Sequence, residues 1–144
     1  MVISIGSDHA GFEQKQQLAA YLSALGHVVT DRGPSDDGRV DYPDYAEVVG
    51  RDVAVGAAEL GVLVCGTGIG MAIAANKVDG VRAANIVRPD FAELCRQHNN
   101  TNVITLSGRF VSLDENKRIL DAFLAASFEG GRHSDRVRKI MELQ

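Results

Sequence analysis

Leu60-Gly61-Val62-Leu63-Val64-Cys65-Gly66-Thr67-Gly68-Ile69-Gly70 is an almost unbroken apolar run that passes straight into a glycine-rich loop. Six residues without polar alternation are the pattern of a strand covered on both faces, as in a parallel sheet. Glycines after such a strand permit a tight turn and let the backbone approach a ligand closely. A helix is expected to start within the loop and run to about Asn76, making the unit strand, turn, helix.

The same unit recurs on either side. Val2 to Ile5 reads as a strand, followed by a helix from Phe12 to Leu25 with Gly26 at its expected stop. His27 to Thr30 is a second strand. Asp31 to Pro43 holds two glycines and two prolines and reads as a loop, and Tyr45 to Val55 as a helix. Beyond the glycine loop, strands are expected at Val81 to Val87 and Val103 to Leu106. Helices are expected at Pro89 to Gln97, Asn116 to Phe128 and Arg136 to Leu143. Phe12, Phe123 and Phe128 are core candidates. The order predicts one domain over residues 1–144, an α/β doubly wound (Rossmann-like) five-stranded parallel sheet flanked by helices. Such sheets bind ligands beyond the carboxyl ends of their strands. Asp8-His9, Cys65 and Arg109 fall at those ends.

Charge and composition remove several classes of function. The chain has 144 residues and a net charge of -4. No general field attracts nucleic acid or an anionic membrane, so an anionic ligand needs a local basic cluster. Two cysteines, Cys65 and Cys95, are too few for a disulfide framework, and no CxxC pair suggests zinc or redox chemistry. Cys95, in mid-helix beside Leu94, reads as structural. The first residues have no signal-peptide pattern, and no apolar run approaches the ~20 residues of a membrane span. A cytoplasmic setting is the expectation. His9, His27, His98 and His133 share no ligand spacing, so neither a metal nor another cofactor is expected.

Each motif has a functional and a plain reading. Amide groups at the start of the helix after Cys65 can hold an anion or a developing oxyanion, and they favour charge on a sulfur. Otherwise the loop is only a tight turn beside a buried cysteine. Its spacing, GxGxG followed by Met71, misses the dinucleotide fingerprint, and the lysine-serine pair of a P-loop is absent. Asp8 either contacts a sugar hydroxyl or caps the next helix. In Arg96-Gln97-His98-Asn99-Asn100-Thr101-Asn102, a histidine able to carry protons sits in a stretch that is otherwise typical of an asparagine-rich turn. Arg132, His133 and Arg136 share one face if the last helix includes Arg132, and two guanidinium groups suit a phosphate. A solvated basic helix end is the alternative. Arg109 could join the cluster.

Six ordered segments together resemble the type B ribose-5-phosphate isomerases, a family shared with the galactose-6-phosphate isomerase subunits. They are Ser-Asp-His-Ala-Gly at 7–11, Asp-Tyr-Pro at 41–43, Cys-Gly-Thr-Gly-Ile-Gly at 65–70, Ala-Ala-Asn-Lys at 74–77, Arg-Gln-His-Asn-Asn-Thr-Asn at 96–102 and Glu-Gly-Gly-Arg-His at 129–133. The resemblance implies an aldose–ketose isomerisation of ribose 5-phosphate and ribulose 5-phosphate through an enediolate, without a metal. It implies that Cys65 transfers the proton between carbons, Thr67 assists at the oxygens and His98 opens the sugar ring. Gly66, Gly68, Ile69 and Gly70 would hold the enediolate. Asp8 would meet the sugar, with Tyr42 and Asn99 lining the site. His9, Arg109, Arg132 and Arg136 would bind phosphate. The resemblance also implies a homodimer whose site draws on both subunits.

Some members of the family replace the cysteine by a glutamate slightly downstream; here Met71 stands there, so Cys65 has no visible substitute. Ala84 to Val87 and Ser107 depart slightly from the family's pattern, which bears on substrate choice. A hexose 6-phosphate (allose or galactose) is the alternative substrate. A sensor that binds sugar phosphate without turning it over is the alternative of another class, and it has no use for Cys65, Thr67 and His98.

Overall fold

The computed structural model describes residues 1–144. Eleven elements alternate as expected: β1 (Val2–Ser7), α1 (Phe12–Ala24), β2 (Val28–Asp31), α2 (Tyr42–Ala54), β3 (Leu60–Cys65), α3 (Ile69–Ala75), β4 (Ala83–Asn85), α4 (Pro89–Asn99), β5 (Val103–Ser107), α5 (Leu113–Ala125) and α6 (Arg132–Met141). All strand pairs are parallel, in the order β2-β1-β3-β5-β4. No helix is long and apolar enough to cross a membrane.

Two cores sandwich the sheet. Along β3 successive side chains point to opposite faces. Leu60, Val62 and Val64 enter a cluster with Leu18 and Leu22 of α1, Ala92 and Cys95 of α4, and Ile119, Leu120 and Phe123 of α5. Leu63 and Cys65 enter the other, with Ala46 and Val49 of α2 and Met71 and Ala75 of α3. This alternation delivers the Cys65 side chain to the α2–α3 face at the strand's carboxyl end. Of the three core phenylalanine candidates only Phe123 is fully buried; Phe12 and Phe128 are half-buried on the flanks.

Several boundaries differ from expectation, each for a local reason. α2 begins at Tyr42, since Pro43 in a first turn lacks no hydrogen bond the helix would use. α5 begins at Leu113, where the Ser112 hydroxyl accepts from the Glu115 N–H at 3.2 Å, a serine cap. It stops at Ala125, leaving Phe128 outside. β4 is three residues rather than seven, because it pairs on one side only, with β5. α6 includes Arg132. Lys15 is buried and donates to both Asp31 oxygens, at 2.8 and 2.9 Å, and to the Pro34 carbonyl at 2.7 Å, which ties α1 to the end of β2.

Candidate active site

The carboxyl ends of β1, β3, β4 and β5 meet around the glycine loop. Gly68 takes φ +83°, and a Cβ there would sit 2.2 Å from Asn85 Nδ2, so only glycine fits. At Gly70 a Cβ would lie 2.6 Å from the Tyr42 ring, which packs directly on the loop. Three successive carbonyls of the loop are held from behind. Ser107 Oγ donates to Gly66 O at 2.7 Å, Asn85 Nδ2 to Thr67 O at 3.2 Å, and Thr105 Oγ1 to Gly68 O at 2.7 Å. In a trans peptide the carbonyl and the next N–H point in opposite directions. Anchoring the oxygens therefore turns the following amides away from the sheet.

Those amides serve the candidate residues. The Gly68 N–H donates to Cys65 Sγ at 3.1 Å, and the Ile69 N–H to Thr67 Oγ1 at 3.1 Å. The amides of Gly66, Thr67, Gly70 and Met71 make no hydrogen bond within the chain. Cys65 is buried, Thr67 exposed. Arg109 lies over the loop, with its guanidinium 3.4 Å from where a Gly66 Cβ would be. Asp8 does not cap α1, whose N-cap is Gly11; its Oδ1 accepts from the Gly11 N–H at 3.0 Å in the turn before the helix, and Oδ2 has no partner in the chain. His9 Nδ1 accepts from the Val40 N–H at 3.4 Å on the rim.

The other sequence-derived residues lie elsewhere. His98 and Asn99 end α4, which runs back to the amino end of β5, and the strand alone separates them from Cys65 by about 13 Å at 3.3 Å per residue. Arg132 and Arg136 are on α6, packed beside α4. Both are exposed and lack a carboxylate partner, unlike Arg138, which bonds Glu142. Arg109 therefore does not join them within one chain. His133 does not share their exposed face; it turns inward with Val137 and stacks on His98, with ring centroids 4.3 Å apart and planes 14° apart. The asparagine-rich turn is structural in part. Asn102 Oδ1 accepts from the Arg82 N–H at 2.7 Å, and Asn100 is left-handed at φ 49°. The His98 and Asn99 side chains are not used for that purpose.

Glu129 joins the histidine stack, with Oε1 4.0 Å from His98 Nε2. His98, Glu129 and His133 are a grouping of metal-type ligands that the sequence did not suggest. Nearly parallel rings, however, direct their lone pairs in parallel planes, and one ion cannot lie in both. Burial, then the neighbouring His98 and Arg132, hold the His133 imidazole below its ordinary value; Glu129 opposes them. A histidine lowered on folding binds protons more readily when unfolded, so its contribution to stability falls as pH drops below about 6.5. We expect the melting temperature to decrease between pH 7 and pH 5, and to decrease less in His133→Asn. An equal decrease in both proteins, measured by calorimetry, would assign the effect to other groups. Burial likewise pushes the Cys95 thiol up, and its Sγ donates to Ala92 O at 3.2 Å, as a structural cysteine does.

The family model for ribose/galactose isomerases matches residues 3–140. The chain belongs to this family. Over 142 residues it is 46% identical to ribose-5-phosphate isomerase B of Escherichia coli (strain K12), covering 99% of this chain and 95% of that one. The crystal structure of a ribose 5-phosphate isomerase from Thermotoga maritima superposes with a TM-score of 0.96 at 47% identity, covering 98% and 97% of the two chains. Ribose-5-phosphate isomerase B from Mycoplasma genitalium with bound ribulose-5-phosphate gives 0.95 at 46% identity, covering 99% and 95%. The parallel sheet and its flanking helices are thus those of the ribose/galactose isomerases. Thr105 stands out in no motif of the sequence, Asn85 only as a departure that bears on substrate choice, and Glu129 only as the first residue of the segment at 129–133. Asn85 and Ser107 close otherwise apolar strands and Thr105 interrupts one, and that is the available signal.

Proposed function

We propose that the protein interconverts ribose 5-phosphate and ribulose 5-phosphate in a site completed by a second copy of the chain. The observation that carries this is the Cys65 sulfur held by the Gly68 amide beside unpaired loop amides, in a chain 46% identical to a relative described with ribulose-5-phosphate bound. The reaction moves hydrogen within one molecule, so its balance needs no oxidant or reductant. Cys65 as thiolate takes the proton from C2 of the open aldose. The electron pair passes to the C1 oxygen, giving the enediolate, and the thiol returns the proton to C1. The free amides of the loop stabilise the negative oxygen where it develops. Thr67, whose hydroxyl accepts from Ile69 and keeps its own proton free, exchanges protons at O1 and O2. Asp8 and Tyr42 contact the sugar chain.

His98 of the partner subunit would open the furanose ring, and Asn99 of the partner subunit would line the same cleft. Phosphate would lie between Arg109 and His9 of one chain and Arg132 and Arg136 of the partner subunit. Two features support a second copy. The candidate groups lie at opposite ends of one sheet, and Ile69 and Ile73, one turn apart on α3 beside the loop, are both more than half exposed. Arg132→Ala and Arg136→Ala should each raise KM for ribose 5-phosphate by about tenfold or more, since a charge-assisted anchor is lost. Unchanged kinetics in both would make this cluster a solvated helix end.

The deciding experiment is a coupled assay with ribose 5-phosphate in excess chelator, run beside allose 6-phosphate and galactose 6-phosphate. We expect the highest kcat/KM with the pentose. A higher value with a hexose would move the assignment within the family, and binding without turnover would make the protein a sensor.

A further inference from the structure

We infer that Asn85 is a positioning residue for Cys65, acting through the single peptide that joins Thr67 to Gly68. The inference rests on the reading of Cys65 as the proton-transfer group. Asn85 Nδ2 donates to the oxygen of that peptide at 3.2 Å, and its N–H donates to Cys65 Sγ at 3.1 Å. The peptide is trans, as the only cis bond in the chain is Gly33-Pro34. The two hydrogen bonds therefore lie at opposite ends of one dipole. A donor on the oxygen withdraws electron density and makes the N–H a better donor to a negatively charged sulfur.

The orientation of the Asn85 amide follows from its surroundings. Nδ2 also lies 3.3 Å from Thr105 O and 3.2 Å from Thr105 Oγ1, whose proton is given to Gly68 O at 2.7 Å. Three acceptors surround this end of the side chain, so the oxygen cannot occupy it without facing all of them. Thr105 thus fixes Asn85 and the next peptide of the loop together. Gly68 completes the arrangement, because any Cβ would displace Nδ2. A leucine at 85 would fill similar space and leave Thr67 O without this donor. An aspartate would put a charged oxygen against three others.

The test separates positioning from general stability. The Cys65 peptide is followed by mass spectrometry during reaction with iodoacetamide, with the Cys95 peptide as internal control. In Asn85→Leu we expect the Cys65 rate at pH 7 to fall roughly threefold to tenfold, with the pH 10 rate unchanged, because less of the sulfur is charged at neutral pH. The kcat should fall by a similar factor with KM for ribose 5-phosphate within about twofold. Asn85→Asp should lose more on both measures. Thr105→Val, which keeps shape, should change both in the same direction by less, and it serves if the Asn85 variants do not fold. Unchanged pH 7 reactivity in the folded variants overturns the inference. So does an equal loss at pH 7 and pH 10, the signature of a loosened strand. If Cys65→Ala keeps its turnover, the function assigned to Cys65 fails, while the alkylation rates still report on the relay.

Discussion

Cys65→Ala is expected to lower kcat for ribose 5-phosphate by about 10²–10⁴-fold, the contribution typical of a positioned proton-transfer group. KM should stay within about threefold, because the phosphate contacts are remote from the reacting carbons. Met71, buried on α3 in the same core, carries no basic group, and the other cysteine, Cys95, lies in the opposite core. Losing one sulfur at a position next to the cleft should cost about 1 kcal/mol or less of stability, which a melting curve will show. Steady-state kinetics on the purified variant make the decision. Turnover within tenfold of the parent protein would remove Cys65 from its role and leave the loop as an oxyanion cradle only.

Mixing two inactive proteins is expected to restore activity. Cys65→Ala and His98→Asn impair groups at opposite ends of the sheet, which a single chain does not bring together. If each site takes Cys65 from one subunit and His98 from the other, a mixed dimer has one site with both defects and one with neither. After unfolding and refolding together in equal amounts, half the dimers are mixed, and about a quarter of all sites should be intact. The rise from near zero to roughly a quarter of parental kcat is large and has no counterpart in either variant refolded alone. Activity that never exceeds the sum of the two would show that each chain works with its own residues.

Legibility in the sequence followed the range of the interactions. The apolar run Leu60–Cys65 coincides with β3, because every residue in it is buried and all obey one rule. α2 and α5 start earlier than their apolar spacing indicates, since Pro43 and Ser112 signal an end of loop as readily as a loop interior. β4 is shorter than its apolar run because Val81 and Ile86 are buried just beyond the ends of an edge strand. The His98–His133 stack and the Asn85–Thr67 contact join segments well separated along the chain, and no local spacing encodes them.

The Cys65 loop itself was a local matter. A buried strand ending in glycines can only turn tightly into a helix, and side-chain alternation then sends Cys65 to one known face. The expected family followed from six such local segments in order. Which end of the sheet each residue reaches was settled by topology. A helix that follows a parallel strand must return to the opposite end of the sheet before the next strand can begin, so residues at its last turn, His98 and Asn99, finish far from the end that carries the Cys65 loop. The resemblance puts both groups in one site drawn from two subunits; the fold puts them at opposite ends of one sheet, because backbone direction in a parallel sheet leaves no other arrangement within a chain.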